Sequence, residues 1–249
     1  MRFVFRGAPV LAAALWIFPA ATSAGPPPAD LGKLTYDIEW RLIHAGDAVL
    51  ELHNSEGRMK LDSAGLVSAL FKVDDTYTVR YEQSFCASES QMDSKEGKRH
   101  RQTTVIYDRN QNHATWVERD VLDNNKVLRK AQVDIPHCVH DVLGGILALR
   151  ASPLEPGQST LAPMSDGRRA AQVKVDAQER EEVTTPAGTF KTIRYEPNMM
   201  NGVIYQRKGR VFVWISDDAR RIPVQIRLRL AFPIGTVTLQ LQKIVEEAK

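Results

Sequence analysis

Apolar and polar residues alternate strictly near both ends of the chain. Leu34, Tyr36, Ile38, Trp40 and Leu42 interleave with Thr35, Asp37, Glu39 and Arg41. Val224, Ile226, Leu228, Leu230 and Phe232 interleave with Gln225, Arg227, Arg229 and Ala231. A period of two places each apolar set on one face of a strand whose other face is wet. A chain bracketed in this way is an antiparallel β-protein with one sheet face on a core.

The stretch between these ends extends the pattern. The first hairpin is predicted from Leu34–Ile43, a reversal at His44-Ala45-Gly46-Asp47, and Ala48–Leu52. Further strands are predicted at Arg58–Leu66, Asp75–Phe85, Thr103–Tyr107, Ala114–Glu118, Val127–Ile135, Gln172–Thr184, Phe190–Tyr195, Arg210–Ile215, Ile222–Phe232 and Thr236–Ile244, separated by turn-forming residues. Ser68–Val73 is ambiguous. Ser88–Arg101 is polar, with Lys95, Lys98, Arg99, His100 and Arg101 clustered; such a basic cluster can bind a phosphate or a lipid headgroup, and the preferred reading is a solvated hairpin arm.

One helix is predicted, at Val139–Ala151, where Val142, Leu143, Ile146, Leu147 and Leu149 form an apolar stripe. Asp141 is placed to cap it. Gly144-Gly145 lowers helix propensity but lets a neighbour approach closely. Pro153 and Pro156-Gly157 end the helix. The expected fold class is therefore mainly β: a strongly curved antiparallel sheet, or a partly open β-barrel, with one central helix at about residues 139–151. Residues 34–249 read as a single β-rich domain, with a subdivision near 151–157 as the alternative.

The start of the chain sets the compartment. Arg2 and Arg6 precede an apolar run from Gly7 to Ala21, and Thr22-Ser23-Ala24 offers small residues for cleavage. Met1–Ala24 is thus expected to be a secretory signal peptide, followed by a Pro-rich mature N-terminus at residues 25–33. The run is short and broken by Pro9 and Pro19, which disfavours an uncleaved anchor. No later stretch is long and apolar enough to span a bilayer as a helix, so no integral membrane segment is expected after cleavage.

The net charge of +3 includes Arg2 and Arg6, so the rest of the chain is close to neutral and carries no footprint for nucleic acid. The expected location is the periplasm. In that oxidising compartment the two cysteines, Cys86 and Cys138, are expected to form a disulfide.

In order along the chain, "LTYDIEWRLIHAGDAVLEL" (Leu34–Leu52), "DVLGGILALR" (Asp141–Arg150), "PAGTF" (Pro186–Phe190) and "VWISDDARRIPVQIRLRL" (Val213–Leu230), with Gly235–Leu241, resemble the bacterial exported domain-of-unknown-function family 3108. The resemblance covers nearly all of the chain after the leader. It implies an envelope location and a β-rich fold, and it brings no catalytic residues. The cysteine pair is not part of the resembling pattern, so the expected bridge rests on chemistry alone.

Candidate chemistry is sparse. His137-Cys138-Val139-His140-Asp141 is the densest set of ligands and bases, but its spacing fits no standard zinc pattern, and a disulfide would consume the Cys138 thiolate. Asp217-Asp218 reads as a turn cap, lacking the spaced ligand set that calcium needs. No nucleophile elbow, phosphate loop, zinc-protease or dinucleotide motif is present. No catalytic residue, metal or cofactor is therefore expected.

The aromatic pairs Tyr36/Trp40 and Phe212/Trp214 are the candidate ligand-binding residues. If both strand faces point inward, they line a cavity for a lipid or other apolar ligand; an ordinary filled core predicts the same alternation. The sequence reading is thus a non-enzymatic envelope protein that binds a lipid in the concavity of its sheet. The alternative is an assembly or scaffold protein that binds an envelope protein through an edge strand. A hydrolase or metal-binding protein using His137, His140 and Asp141 ranks third.

Overall fold

The computed structural model describes residues 30–151 and 154–245. The expected leader, Met1–Ala24, and residues 25–29 lie outside the described residues. The strands are β1 (Lys33–Trp40), β2 (Ile43–Leu52), β3 (Glu56–Ser63), β4 (Val73–Tyr81), β5 (Ala87–Glu96), β6 (Arg99–Asp108), β7 (His113–Asp120), β8 (Lys126–Asp134), β9 (Ser159–Ser165), β10 (Ala170–Thr185), β11 (Gly188–Pro197), β12 (Gly209–Ser216), β13 (Pro223–Leu230) and β14 (Thr236–Val245). Two helices accompany them, α1 (Gly65–Leu70) and α2 (Val142–Ala151). All fourteen strands form one antiparallel sheet in the order β8-β7-β6-β5-β4-β3-β2-β1-β14-β13-β12-β11-β10-β9. The first and last strands meet in the middle, where β1 pairs with β14, and the sheet is not closed into a barrel.

The sheet is nevertheless strongly curled, because residues near its two edges touch. Tyr107 of β6 donates its hydroxyl to the Ser165 carbonyl at the end of β9, at 3.4 Å. Arg168, in the β9–β10 turn, lies over the Trp116 ring of β7 at 5.1 Å. The inner face carries the core, including Leu34, Tyr36, Leu50, Val79, Val105, Trp116 and Leu241. A second buried cluster on β9–β12, including Val173, Ile193, Tyr195 and Val213, continues it; Ile226 touches both.

Helix α2 lies inside the curl. Its Leu143, Ile146 and Leu147 are buried in the main cluster. A Cβ on Gly144 would stand 2.9 Å from the Phe85 carbonyl oxygen, so this close approach requires glycine. Just before the helix, the chain stitches two distant strands together. The His140 N–H donates to the Pro163 carbonyl of β9, and the His140 carbonyl accepts from the Ser165 N–H. One residue earlier, the Val139 carbonyl accepts from the Ala87 N–H of β5. The Cys86–Cys138 disulfide, with its Cα atoms 5.1 Å apart, fastens this seam. Among the described residues no helix is long and apolar enough to cross a membrane.

Several elements differ from the sequence reading. The first turn is Arg41-Leu42, both at positive φ, and Gly46 sits inside β2. Glycine is needed there because a Cβ would stand 2.1 Å from the Asp62 carbonyl. The ambiguous Ser68–Val73 region contributes to α1, so there are two helices among the described residues rather than one. Helix α2 starts at Val142, three residues later than read, because Asp141 caps it. The polar arm Ser88–Arg101 is built largely of β5 and the start of β6. Strand β9 was not expected. Its Pro163 is tolerated because its backbone polar groups face away from β10, toward His140, so no N–H of the β9–β10 ladder is lost.

Candidate functional site

Sheet registers divide the four candidate aromatics. On the inner face Tyr36 sits opposite Leu241, Ile38 opposite Leu239, and Trp40 opposite Val237. Leu239 lies opposite Ile226, and Ile226 opposite Val213. Val211, Val213 and Ile215 therefore share the inner face, while Phe212 and Trp214 point outward. The quartet cannot line one cavity. The run Val211–Ile215 is apolar at every position, so period two could not show which parity faces the core.

Tyr36 is only 1% exposed and donates its hydroxyl to the Pro223 carbonyl at 2.7 Å. Trp40 is half-buried, and its indole N–H donates to the Ile234 carbonyl at 2.7 Å. On the outer face Phe212 and Trp214 pack 6.1 Å apart with Val183 and Val224. The guanidinium groups of Arg194, Arg210 and Arg229 cover Phe212, and that of Arg227 covers Trp214. Arg194 and Arg210 are ion-paired to Glu181 and Glu196, so this patch reads as a cation-shielded outer cluster.

The large opening is elsewhere. A cavity of about 510 Å³ lies on the inner face of β5–β8, away from α2. It is lined by Met92, Ser94, Glu96, Arg99, Arg101, Thr103, Glu118, Leu128 and Arg129. Met92 sits opposite Thr103, Ser94 opposite Arg101, and Glu96 opposite Arg99. Thr103 then faces Glu118, and Glu118 faces Arg129. The same face continues through Tyr77 and Met59 on one rung and through Asp75 and Leu61 on the next. The sequence reads these strands as a solvated arm because their inner face has no helix over it and is polar enough to stay wet. The arm's position on the inside of a curled sheet was not visible in the pattern.

Arginines dominate the cavity's charge. Arg129 pairs with Glu118 at 2.8 Å, and Arg101 with Asp120 at 3.4 Å. Arg99 forms no ion pair among the described residues. Burial, together with the nearby Asp75 charge, pushes the Glu96 carboxyl above its usual pKa. Asp75, buried beneath the same surface, is pushed upward chiefly by desolvation. The lining contains no histidine or cysteine; its carboxylates are Glu96 and Glu118. It offers apolar contacts from Met92 and Leu128 beside a cationic set suited to a carboxylate or phosphate.

The His137–Asp141 segment forms no shared site. His137 Nε2 meets Arg109 at 3.1 Å, and His140 Nδ1 meets the Phe85 carbonyl at 2.9 Å. Asp141 caps α2, accepting from the Gly144 N–H at 2.8 Å, the Leu143 N–H at 3.1 Å and the Tyr77 hydroxyl at 2.9 Å. Asp218 likewise accepts from the Arg220 and Arg221 N–H groups, as a turn cap does. On the outer face Asp37, His44 and Asp47 bring donor atoms within 4.8 Å of one another, but His44 Nδ1 is already bonded to Asp37 at 2.5 Å.

Burial pushes the Asp141 carboxyl above its ordinary value of 3.8, against the pull of its hydrogen bonds. A raised folded pKa means that the folded state binds more protons, so this group's contribution to stability grows as pH falls through the window above 3.8. Asp141→Ala is expected to cost about 2–3 kcal/mol near pH 7, through loss of the cap and an orphaned Tyr77 hydroxyl. Asp141→Asn should cost less. Its deficit relative to wild type should widen on acidification, because asparagine cannot take up the proton. Urea unfolding of both variants at neutral and mildly acidic pH checks the order and the sign.

The family model of DUF3108, a protein family of unknown function, matches residues 35–242. The chain belongs to that family. No curated protein matches the sequence. The fold of this DUF3108 member is similar to that of a β-barrel-like DUF1849 protein from Brucella abortus, with a TM-score of 0.56 at 9% identity, covering 90% of this chain and 100% of that one. A Bacteroides fragilis protein with a YmcC-like fold, described as a candidate exported protein, aligns at a TM-score of 0.33 and 10% identity over 88% of this chain and 98% of its own. At these identities the likeness to the Brucella protein speaks for the fold alone.

Proposed function

We propose that this DUF3108 member is a non-enzymatic periplasmic protein that holds an amphiphilic, anionic ligand on the open part of its inner face. The observation that carries this reading is the cavity over β5–β8. At about 510 Å³ it falls within the range of small-molecule sites, roughly 300–1,000 Å³. Met92 and Leu128 would take the apolar part, and Arg99, Arg101 and Arg129 the anionic end. Trp40 and Ile38 share the inner face at the same end of the sheet, and the proposal extends the apolar wall to them. Tyr36 acts only as core, and Phe212 and Trp214 stand outside the site. The expected signal peptide supports the location.

Titration with a fluorescent fatty acid tests the reading. Saturable binding is expected. Met92→Asp, which puts a like charge beneath the ligand, and Arg99→Gln, which removes a cation with no ion pair of its own, should each weaken it about tenfold, near 1.4 kcal/mol. A fatty alcohol should compete less well than the acid. Absence of binding, or binding indifferent to both substitutions, contradicts the proposal.

Edge strand β8 favours a second reading, protein docking by strand addition. It is nine residues long and largely exposed. Its Lys126, Arg129 and Lys130 blunt such pairing, which ranks this reading second.

A further inference from the structure

Successive strands of an antiparallel sheet turn at alternate rims, so the turns after β1, β3, β5, β7 and β13 share one rim. Hydrogen bonds tie these turns to their neighbours. The Arg41 N–H donates to the Thr236 carbonyl, Ala64 to Ala45, Gly97 to Lys72, and Val121 to His100. Large apolar side chains project from this rim into water. Leu42 is 91% exposed, Phe232 92% and Leu70 84%. Leu66, Phe71 and Leu122 are also exposed on the same set of turns. None of them supports the core, and holding them in water is unfavourable unless something covers them.

Their surroundings identify the cover. Exposed Arg41, Lys72 and Lys98 stand among the tips. The acid on these turns, Asp123, is paired with Lys126 at 3.3 Å. Behind Leu42 and Phe232 lies Trp40, with its ring half-buried and its N–H bonded to the Ile234 carbonyl, the amphipathic arrangement that suits the headgroup level of a bilayer. The apolar tips are spread over four turns and interleaved with cations, whereas a protein-docking patch is contiguous and depleted of charge at its centre.

We propose that this rim docks on an anionic lipid surface, with Leu42, Phe232, Leu66, Leu70 and Leu122 entering the acyl boundary and Arg41, Lys72 and Lys98 meeting the headgroups. The inference needs no cargo in the cavity, and Leu42 and Phe232, which its test changes, stand outside the cavity lining.

Co-sedimentation with vesicles tests it, using the exported chain whose mass shows that the leader is gone. The protein should sediment with vesicles of about three parts phosphatidylcholine to one part phosphatidylglycerol, less with pure phosphatidylcholine, and less as salt rises. The double variant Leu42→Ser/Phe232→Ser should lower the apparent partition constant by about tenfold or more with an unchanged circular dichroism spectrum. Leu161→Ser, at an exposed apolar position on edge strand β9, should leave it unchanged. A wild-type chain that stays in the supernatant, or a double variant that sediments as the wild type does, overturns the proposal. The fatty-acid titration reads the cavity alone, so either reading can fail without the other.

Discussion

Removing the Cys86–Cys138 bridge is expected to destabilise the protein by about 4 kcal/mol. The two cysteines are 52 residues apart in sequence. For a closed loop of that size the chain-entropy model gives about 4 kcal/mol, by restricting the unfolded chain. The position of the bridge adds a local consequence. Cys138 leads into the segment that joins β5 to β9 through Val139 and His140. Without the bridge this seam should loosen first, exposing α2 and the inner face. For a chain of this length the loss corresponds to a fall in Tm on the order of 10 °C. Thermal melts with and without reductant, and of the variant Cys86→Ser/Cys138→Ser, check it. A fall of only about 2 °C would mean that the unfolded chain is not restrained by the bridge.

Arg150→Ala is expected to cost about 3–5 kcal/mol. Arg150 is the largest of the most deeply buried side chains, at 1% exposure, in the last turn of α2. Its Nε donates to the Arg221 carbonyl at 2.8 Å and its Nη2 to the Arg220 carbonyl at 3.1 Å. Burial and the neighbouring Arg221 charge pull its pKa down to about 10, so the guanidinium remains charged at neutral pH. Truncation removes these charge-assisted hydrogen bonds, strands carbonyl groups and opens a cavity between α2 and the turn before β13. Arg150→Lys should recover only part of the loss, because one ammonium cannot reproduce the fork that reaches both carbonyls. Urea unfolding of the two variants measures the difference. Equal stability of Arg150→Ala and the wild type would show that the turn is held by other contacts.

The elements legible in the sequence were those in which one strand face is covered and the other wet. The alternation at Leu34–Trp40 and Ile226–Leu230 marks β1 and β13 because the inner side of each packs on the core, whereas Val224, read in the same series, packs on the outer face with Phe212 and Trp214 beside a register shift. Helix α2 was legible from its apolar stripe, and Gly144 from its need for a close neighbour. Strands β5 and β6 were less legible, since their inner face is left open and Ser94, Glu96, Arg99 and Arg101 are polar like the outer face. For the same reason the cavity they line was missed. Phe212 and Trp214 failed as inner-face residues because β12 is apolar on both faces, and parity across a sheet becomes visible only when its neighbours' registers are known. The Arg41-Leu42 turn lacks the Gly or Asn that announces positive φ, so the reversal was placed at Gly46 instead. The disulfide could be anticipated from the expected compartment, but its place at the seam between β5 and β9 depends on the curl of the sheet.

The central claim is that the inner face over β5–β8 holds an amphiphile. Native mass spectrometry of the exported protein, purified from the periplasm without detergent or reductant, tests it most directly. The account predicts a retained small-molecule mass that organic extraction identifies as an anionic amphiphile, lost in the Met92→Asp variant. A bare protein mass in the wild type, or a retained mass indifferent to Met92→Asp, would contradict it. A co-purifying protein on a bare chain would instead favour docking at β8.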